Sequence, residues 1–326
     1  MSNKQQTILS IFLSRVLYFG VGISYILDKC QNFSLFATAI GLIIGFFILK
    51  ILTKKDVYSF FKTKIGKLAI LFIAFFLINN CLVAFAILGS NFYLVNTPPI
   101  LIIIPLYLLI LYGTKKGLTS TLRLSNIMIF TSFLGVFLMF TSIFKNIILN
   151  NFLPIIIKNG FDVANGILAS TILSISPIIA LLALNKNVDK KSILKGYTIG
   201  SISIYLTFIC IIGIFGSGLT NIFRYPEYIL LKKITIFRHF EHLENFLAII
   251  WFNDLLITSL ICSHLINTIF TNKKFYLISI IAVLTTYFIF INKYQNILIL
   301  YHNTSYMLLV PTILTLIFSK KNGELI

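Results

Sequence analysis

The stretch "RVLYFGVGISYI", residues 15–26, lies inside the first long apolar run of the chain, at about residues 7–27. It carries a charged side chain, Arg15, and two glycines, Gly20 and Gly22. Glycine destabilises a helix interior by about 1 kcal/mol relative to alanine. The stretch therefore predicts either close helix packing at the glycines or a local interruption of the helix.

The composition around this stretch is that of a membrane protein. Of the 326 residues, 58% are hydrophobic and 11% are charged, and the mean hydropathy is +0.97. The apolar runs are continuous and about 20 residues long, which suits helices that cross about 30 Å of hydrocarbon. Barrel strands are shorter and alternate in polarity. We predict an all-α integral membrane protein.

About ten apolar runs are present, and the whole chain, residues 1–326, is interpreted as one transmembrane domain. The fourth run is short and begins irregularly at Pro98 and Pro99. The runs lie at about residues 7–27, 33–52, 68–94, 98–112, 122–144, 164–184, 197–216, 245–270, 275–292 and 301–318.

The formal net charge of +18 is explained by topology rather than by nucleic-acid binding, because the basic residues lie in short segments between the runs. With a cytoplasmic N-terminus, the inner segments hold 17 basic residues and the outer segments hold 8. The positive-inside rule therefore predicts that both termini are cytoplasmic. The first run has no small-residue cleavage site, so we interpret it as a retained helix.

The longest stretch between the runs, at about residues 217–244, falls on the outer side. Its sequence "EYILLKKITIFRHFEHLE" alternates apolar clusters with charges at near-helical spacing. This pattern is typical of an interfacial helix. An ordinary solvated loop is the alternative.

Two opposite charges fall near the bilayer centre. At about 1.5 Å per residue, Arg15 and Asp254 lie at similar depth in their runs. Charged side chains at that depth normally face the protein interior. We therefore predict that they form a charge pair, or a coupling site, across the bundle. The alternative is that Arg15 reaches the cytoplasmic interface and Asp254 is protonated.

Several uncharged polar residues lie at the same depth. For Asn79 and Asn80, ligand contact and interhelical hydrogen bonds are equally plausible. Thr258 lies one turn after Asp254 on the same helix face. Together with the residues around the glycines, the predicted ligand-binding residues are Gly20, Val21, Gly22, Ser24, Asn79, Asn80, Ser174, Ser176 and Thr258.

A second interruption is predicted at "SISP", residues 174–177, because proline removes a backbone donor and clashes with the preceding turn. Ten spans divide into two halves of five, at about residues 7–144 and 164–318, and these interruptions fall in the first span of each. An odd number of spans per half gives the halves inverted topology. Matched interruptions of this kind indicate a transporter-type binding site, and half-helix N-termini favour the carboxylate of a small amino acid.

No enzymatic, metal or cofactor site is predicted. The four histidines and four cysteines lack metal-ligand spacing. The chain also has no phosphate-binding loop and no nucleophile elbow.

Several stretches together resemble a known family, the B subunit of spore germinant receptors. This is the spore permease branch of the amino acid–polyamine–organocation superfamily. The stretches that carry the resemblance are "GVGI" at 20–23, "KKGLTSTLRLSNI" at 115–127, "NFLPIIIKNGFDVANGILAS" at 151–170 and "RYPEYILLKKITIFRHFEHLENFLAIIW" at 224–251.

The resemblance implies a LeuT-like five-plus-five fold with broken helices 1 and 6, and a nutrient site between spans 1, 3, 6 and 8. It also implies a role in spore germination at the spore inner membrane or bacterial cell membrane. The expected partners are an A-type membrane subunit, a C-type lipoprotein subunit, a small nutrient such as an amino acid, and the lipid membrane.

Two other functions stay open. A proton- or sodium-coupled amino acid permease would use Asp254 as its coupling residue. A structural subunit with a degenerate site is the third hypothesis, since the chain lacks the family's proline after "GVGI" and its glutamate after the "SISP" stretch.

Overall fold

The computed structural model describes residues 1–94, 97–153, 159–220, 225–232, 248–270, 272–291 and 294–320. These residues form thirteen α-helices and no strand. The helices are α1 Asn3–Arg15, α2 Ile23–Cys30, α3 Ser34–Leu52, α4 Val57–Lys62, α5 Lys64–Leu88, α6 Pro99–Lys115, α7 Leu118–Ile143, α8 Gly160–Leu184, α9 Lys190–Thr220, α10 Pro226–Lys232, α11 Ile249–Ile269, α12 Asn272–Ile291 and α13 Tyr294–Phe318.

The prediction of an all-helical, multi-pass membrane protein is confirmed. Among the described residues, six helical stretches are long and apolar enough to cross a membrane, and three shorter apolar helices accompany them. All ten apolar runs coincide with helices to within a few residues wherever the structure describes them. The structure therefore agrees with the sequence on where the chain is helical.

The first apolar run is a composite of three pieces. Between α1 and α2, the backbone forms a π-helix over Tyr18–Gly22. We call this segment the π-turn. A sharp turn follows α2 at Gln31, whose φ of 48° is in the left-handed region. The chain then reverses into α3.

Polar side chains fix where several helices begin on the side of the N-terminus. Ser2 and Gln5 form a reciprocal capping box at the start of α1. Asp56 and Thr63 accept hydrogen bonds from the first backbone N–H groups of α4 and α5. These caps satisfy donors that a helix start leaves without partners.

Two glycine pairs allow the closest helix packing in the bundle. Gly196 and Gly200 of α9 face α1, where a Cβ on Gly200 would lie 1.9 Å from Ser14 Oγ. Gly41 and Gly45 of α3 face α8 in the same way. Small residues four positions apart let helix backbones approach in membranes. A third close pair is α5 with α11, so the core is built from α1, α3, α5, α8, α9 and α11.

The segment before α8 caps the far end of α9. The regular part of α9 ends at Gly216, whose φ of 67° lies outside the helical region. Asn151 Nδ2 donates to the carbonyls of Gly213 and Ile214, at 2.9 and 3.1 Å. The backbone N–H of Ile148 also donates to Gly213 O, at 2.9 Å. We refer to these three bonds as the α9 cap.

Contacts at the opposite end bring both chain ends to one side of the bundle. Gln6 Nε2 donates to Asn187 O, and Gln6 Oε1 accepts from the Asp189 N–H. The N–H of Asp56, between α3 and α4, donates to Lys320 O beyond α13. The start of α1, the α8–α9 connection and the end of α13 therefore lie on the same side.

The predicted helix break at "SISP" is wrong. Helix α8 is continuous from Gly160 to Leu184 with Pro177 inside it. Proline removes the N–H that would bond to Leu173 O, yet neighbouring helices stabilise such a residue in a membrane helix. Both sides of α8 are packed, on α3 and on α1, along its buried stretch from Ala169 to Ala183.

Most of the predicted interfacial segment, residues 217–244, lies outside the described residues. Within it, Pro226–Lys232 forms the short helix α10, which contacts α9 and α2.

Candidate functional site

A buried ion pair joins the first span to α11. Arg15 ends α1, and its Nη2 lies 2.7 Å from Asp254 Oδ1. The same nitrogen donates to Ser132 Oγ of α7, so three helices meet at one guanidinium. Arg15 is 3% exposed and Asp254 is 0% exposed. Removing one partner from a pair buried this deeply leaves an uncompensated charge.

Several buried polar atoms of the pair and of the helices beside it have no hydrogen-bond partner among the described residues. Two belong to the pair itself, Arg15 Nε and Asp254 Oδ2. Thr258 Oγ1, one turn further along α11, and Ser176 Oγ on α8 are also without a partner among the described residues. Helix α8 packs against both α1 and α11. Since buried polar atoms normally have partners, these donors and acceptors suit a small, uncharged or zwitterionic polar ligand.

The predicted interruption of the helix at the glycines takes the form of the π-turn. The Ile23 N–H bonds to Tyr18 O, five residues back, and the backbone stays right-handed. A Cβ on Gly22 would lie 2.4 Å from Leu17 O, so this close turn requires glycine there. Gly20 and Val21 lie within the π-turn, and Ser24 is half-buried on α2. Such π-bulges occur frequently at functional sites.

An aromatic stack covers the ion pair on the side opposite the chain ends. Phe19 stacks on Trp251 with ring centroids 5.5 Å apart, and Tyr228 of α10 lies 6.2 Å from Trp251. Phe19 follows Arg15 by four residues and Trp251 precedes Asp254 by three, so the stack lies about one helical turn from the pair. The stack restricts access to the pair from that side.

Ser174 belongs to the packing between helices rather than to the unpartnered set. Its hydroxyl lies 3.0 Å from Tyr197 OH of α9, and Tyr197 donates to Leu42 O of α3 at 2.8 Å. Tyr18 of the π-turn bonds to the hydroxyl and carbonyl of Ser170 in a similar way. Sequence reasoning missed both tyrosines and Ser132, because uncharged hydroxyl residues are frequent in the apolar runs and no local pattern distinguishes these three. The glycine and serine pairs spaced four residues apart are the sequence signal that could have identified the closely packed helices between which these tyrosines bond.

The two asparagines make bonds within and between helices. Asn79 Nδ2 donates to Phe75 O, and Asn79 Oδ1 accepts from Thr285 Oγ1 of α12 at 2.9 Å. Asn80 Nδ2 donates to Phe76 O on its own helix. The bond to Thr285 is an interhelical hydrogen bond, which is one of the two roles predicted for these asparagines. Ligand contact stays a prediction for both residues.

Two cavities lie away from the ion pair. One, of about 420 Å³, opens between α3, α8 and α13, and the other, of about 390 Å³, lies between α3 and α9. Their walls contain none of the residues predicted to bind ligand. Both are apolar grooves on the outside of the bundle.

Comparison with known proteins gives a family. No curated protein matches the chain. The family model described as spore germination protein, the spore permease model, matches residues 11–298, which include the π-turn, the ion pair and the aromatic stack. The resemblance inferred from the sequence is confirmed. The chain belongs to the spore permease family of spore germination proteins.

Proposed function

We propose that this chain is a nutrient germinant-receptor subunit that uses a transporter fold to bind a small nutrient, an amino acid being the first candidate. The ligand would bind beside Arg15 and Asp254, near the bilayer centre. Binding would start germination by favouring one of two conformations. The observation that carries the proposal is the set of unpartnered, buried polar atoms on the ion pair itself, on Thr258 of α11 and on Ser176 of α8, a helix that packs against α1 and α11.

Helix packing supports an inverted five-plus-five repeat within the ten spans. In such a repeat, spans 1 and 2 exchange with spans 6 and 7. The close pair α1–α9, which joins spans 1 and 7, then becomes α8–α3, which joins spans 6 and 2 and is also a close pair. The same exchange leaves the pair α5–α11 unchanged. Glycine pairs on spans 2 and 7 face serine pairs on spans 6 and 1, as a two-fold relation requires.

A cytoplasmic location of both termini is the orientation we propose, in the spore inner membrane or the bacterial cell membrane. Both chain ends lie on one side of the bundle. The excess of basic residues in the segments of that side favours the cytoplasm.

The partners we propose are an A-type membrane subunit and a C-type lipoprotein subunit. The support is membership of the family together with the exposed face of α7, where Ile127, Phe130 and Phe137 are each more than 60% exposed. A face of this kind is suited to a membrane subunit or to lipid.

A permease is the second candidate, favoured by the buried carboxylate of Asp254 and its unpartnered Oδ2. Protonation or a bound cation at that oxygen would couple transport to an ion gradient. Uptake by the purified chain in proteoliposomes tests it directly. Accumulation that depends on a proton or sodium gradient would replace the receptor proposal.

Germination itself tests the receptor proposal. A strain lacking the gene is complemented with the native chain, Thr258→Val or Ser176→Ala, and germination is followed across a nutrient panel. We expect each variant to raise the nutrient concentration for half-maximal germination by about 5- to 30-fold, the effect of one lost hydrogen bond to a ligand.

Thr141→Ala serves as the matched control, since Thr141 is an exposed hydroxyl on α7 that bonds only to its own helix among the described contacts. A native response from both site variants would rule out ligand binding at this position. Equal accumulation of all variants in the membrane must be verified by immunoblot.

A further inference from the structure

The groove between α3, α8 and α13 is lined by apolar side chains together with two threonines, Thr171 and Thr312. Ile44 and Leu52 of α3, Ala164 and Ile175 of α8, and Leu316 of α13 mark its extent. At 1.5 Å rise per residue, the wall is about 12 Å long on α3 and about 16 Å long on α8. Half of a hydrocarbon core of about 30 Å is about 15 Å. The wall on α3 ends near the side of the chain termini, but the wall on α8 begins at Ala164, near the helix start on the opposite side. The groove therefore extends beyond one leaflet, and its α3 part has about the length of the hydrocarbon of one leaflet.

Basic side chains gather at one end of the groove. Lys55 donates from Nζ to the carbonyl of Leu316, which is itself a wall residue. Lys54 and Lys320 are exposed at the same end, where the N–H of Asp56 donates to Lys320 O at 2.8 Å. This end lies on the side of the chain termini, so the α3 part of the groove lies in the leaflet on that side.

Asp56 is the acidic residue that the structure describes at this end, and it is used locally. Asp56 Oδ1 accepts from the Ser59 N–H at 2.9 Å, and Asp56 Oδ2 accepts from the Ser59 hydroxyl. The carboxylate thus caps α4 and is directed to the helix start. The three positive charges at this end, on Lys54, Lys55 and Lys320, exceed the one negative charge of Asp56. The described residues at the groove end therefore have a net positive charge.

We propose that this groove is a binding site for an anionic phospholipid. One acyl chain lies along the apolar wall, and the phosphate group lies among Lys54, Lys55 and Lys320. Basic pockets between membrane helices bind acidic lipid head groups, and each basic residue near the surface contributes about fivefold in affinity. A neutral lipid fills the same groove without the contribution of the lysines.

Native mass spectrometry of the full chain tests the proposal. The purified protein is titrated with phosphatidylglycerol or phosphatidylcholine of identical acyl chains. We expect the native chain to bind phosphatidylglycerol about tenfold more tightly. Lys54→Gln combined with Lys320→Gln keeps the Lys55–Leu316 bond and should abolish most of that preference. Ile48→Trp fills the α3 part of the groove and should remove the high-affinity phosphatidylglycerol adduct.

Lys115→Gln combined with Lys116→Gln is the matched control, because this exposed pair ends α6 on the same side but away from the groove. The control should keep the preference of the native chain. Equal affinity for the two lipids in the native chain would overturn the proposal. So would a loss as large in the control as in the groove variant, since it would indicate general surface charge. An unchanged thermal midpoint in each variant shows that the fold is intact.

Discussion

The first span and α8 begin alike and differ at their centres. Each carries two serines four residues apart, Ser10 and Ser14 in α1 and Ser170 and Ser174 in α8, that pack against a glycine pair. When the two serine pairs are aligned with each other, Arg15 corresponds to Ile175 and Leu17 corresponds to Pro177. The first span then departs from α geometry, whereas α8 continues. The glycine-containing helix is interrupted and the proline-containing helix is not.

The difference shows that hydrogen-bond register, rather than residue type alone, decides where a membrane helix is interrupted. Pro177 removes one backbone bond, and the packed neighbours of α8 hold the helix together. The π-turn needs Leu17 O close to the α-carbon of Gly22, which a Cβ would prevent. The charged residue lies in the interrupted span. We infer that the first span carries the recognition chemistry and α8 mainly supports it.

The largest effect is expected from removing the charge that distinguishes the two helices. Arg15→Met leaves Asp254 buried without its cation and should destabilise the fold by about 3–5 kcal/mol. Ile175→Met, at the corresponding position of α8, should cost less than about 1.5 kcal/mol. Thermal unfolding with a thiol-reactive dye measures both, since all four cysteines are buried.

The double variant Arg15→Met with Asp254→Leu sharpens that test. Replacing both charges by apolar groups should restore most of the lost stability, because the cost comes from one unpaired buried charge. Equal unfolding midpoints for the native chain and Arg15→Met would contradict the ion pair.

The next largest effect concerns the π-turn. Gly22→Ala should destabilise the protein by about 1–3 kcal/mol, because its Cβ meets a backbone carbonyl that cannot rotate away. It should also shift the fluorescence of Trp251, the single tryptophan, whose stacking partner Phe19 lies in the π-turn. Gly160→Ala at the start of α8, where an added Cβ has open space, is the control. An unperturbed emission spectrum and midpoint in Gly22→Ala would show that this turn tolerates a side chain.

The two glycine pairs should respond equally. In Gly196→Ala the Cβ would lie 2.3 Å from Thr7 O, and in Gly41→Ala it would lie 2.7 Å from Ile167 O. Each should lose about 1–2 kcal/mol, as overpacked helix contacts do. Unfolding midpoints that differ by more than a few degrees would argue against equivalent packing in the two halves.

The smallest effect is expected at Pro177. Because α8 is already continuous, Pro177→Ala restores a backbone bond and should change stability by less than about 1 kcal/mol. Thermal unfolding measures this change as well. A loss of several kcal/mol would mean that the proline maintains a distorted shape of α8 that the rest of the bundle requires.

Much of the fold was predictable because hydrophobic runs of membrane length determine where helices form. Depth counting gave Arg15 and Asp254 a common level, and the structure brings their side chains into contact. Charge in hydrocarbon is costly enough that few arrangements tolerate it. The high cost of placing a charge in hydrocarbon thus made the contact between Arg15 and Asp254 predictable from the sequence.

The remaining features depend on contacts that no local pattern specifies. Whether a glycine pair gives an unwound segment or a π-turn depends on one carbonyl position, that of Leu17. Asn79 bonds to Thr285, more than 200 residues away along the chain. The partners of Tyr18 and Tyr197 likewise follow from how distant helices align.

The α9 cap has a mechanical consequence. Asn151 and Ile148 belong to the connection between the two halves of the chain, and their three hydrogen bonds hold the end of α9. Breaking all three would cost about 2–4 kcal/mol. The opposite end of α9 is tied to α1 as well, because Gln6 accepts from the Asp189 N–H and donates to Asn187 O. With both ends held, α9 should move as one unit with α1 in any conformational change, rather than tilt about one of its ends.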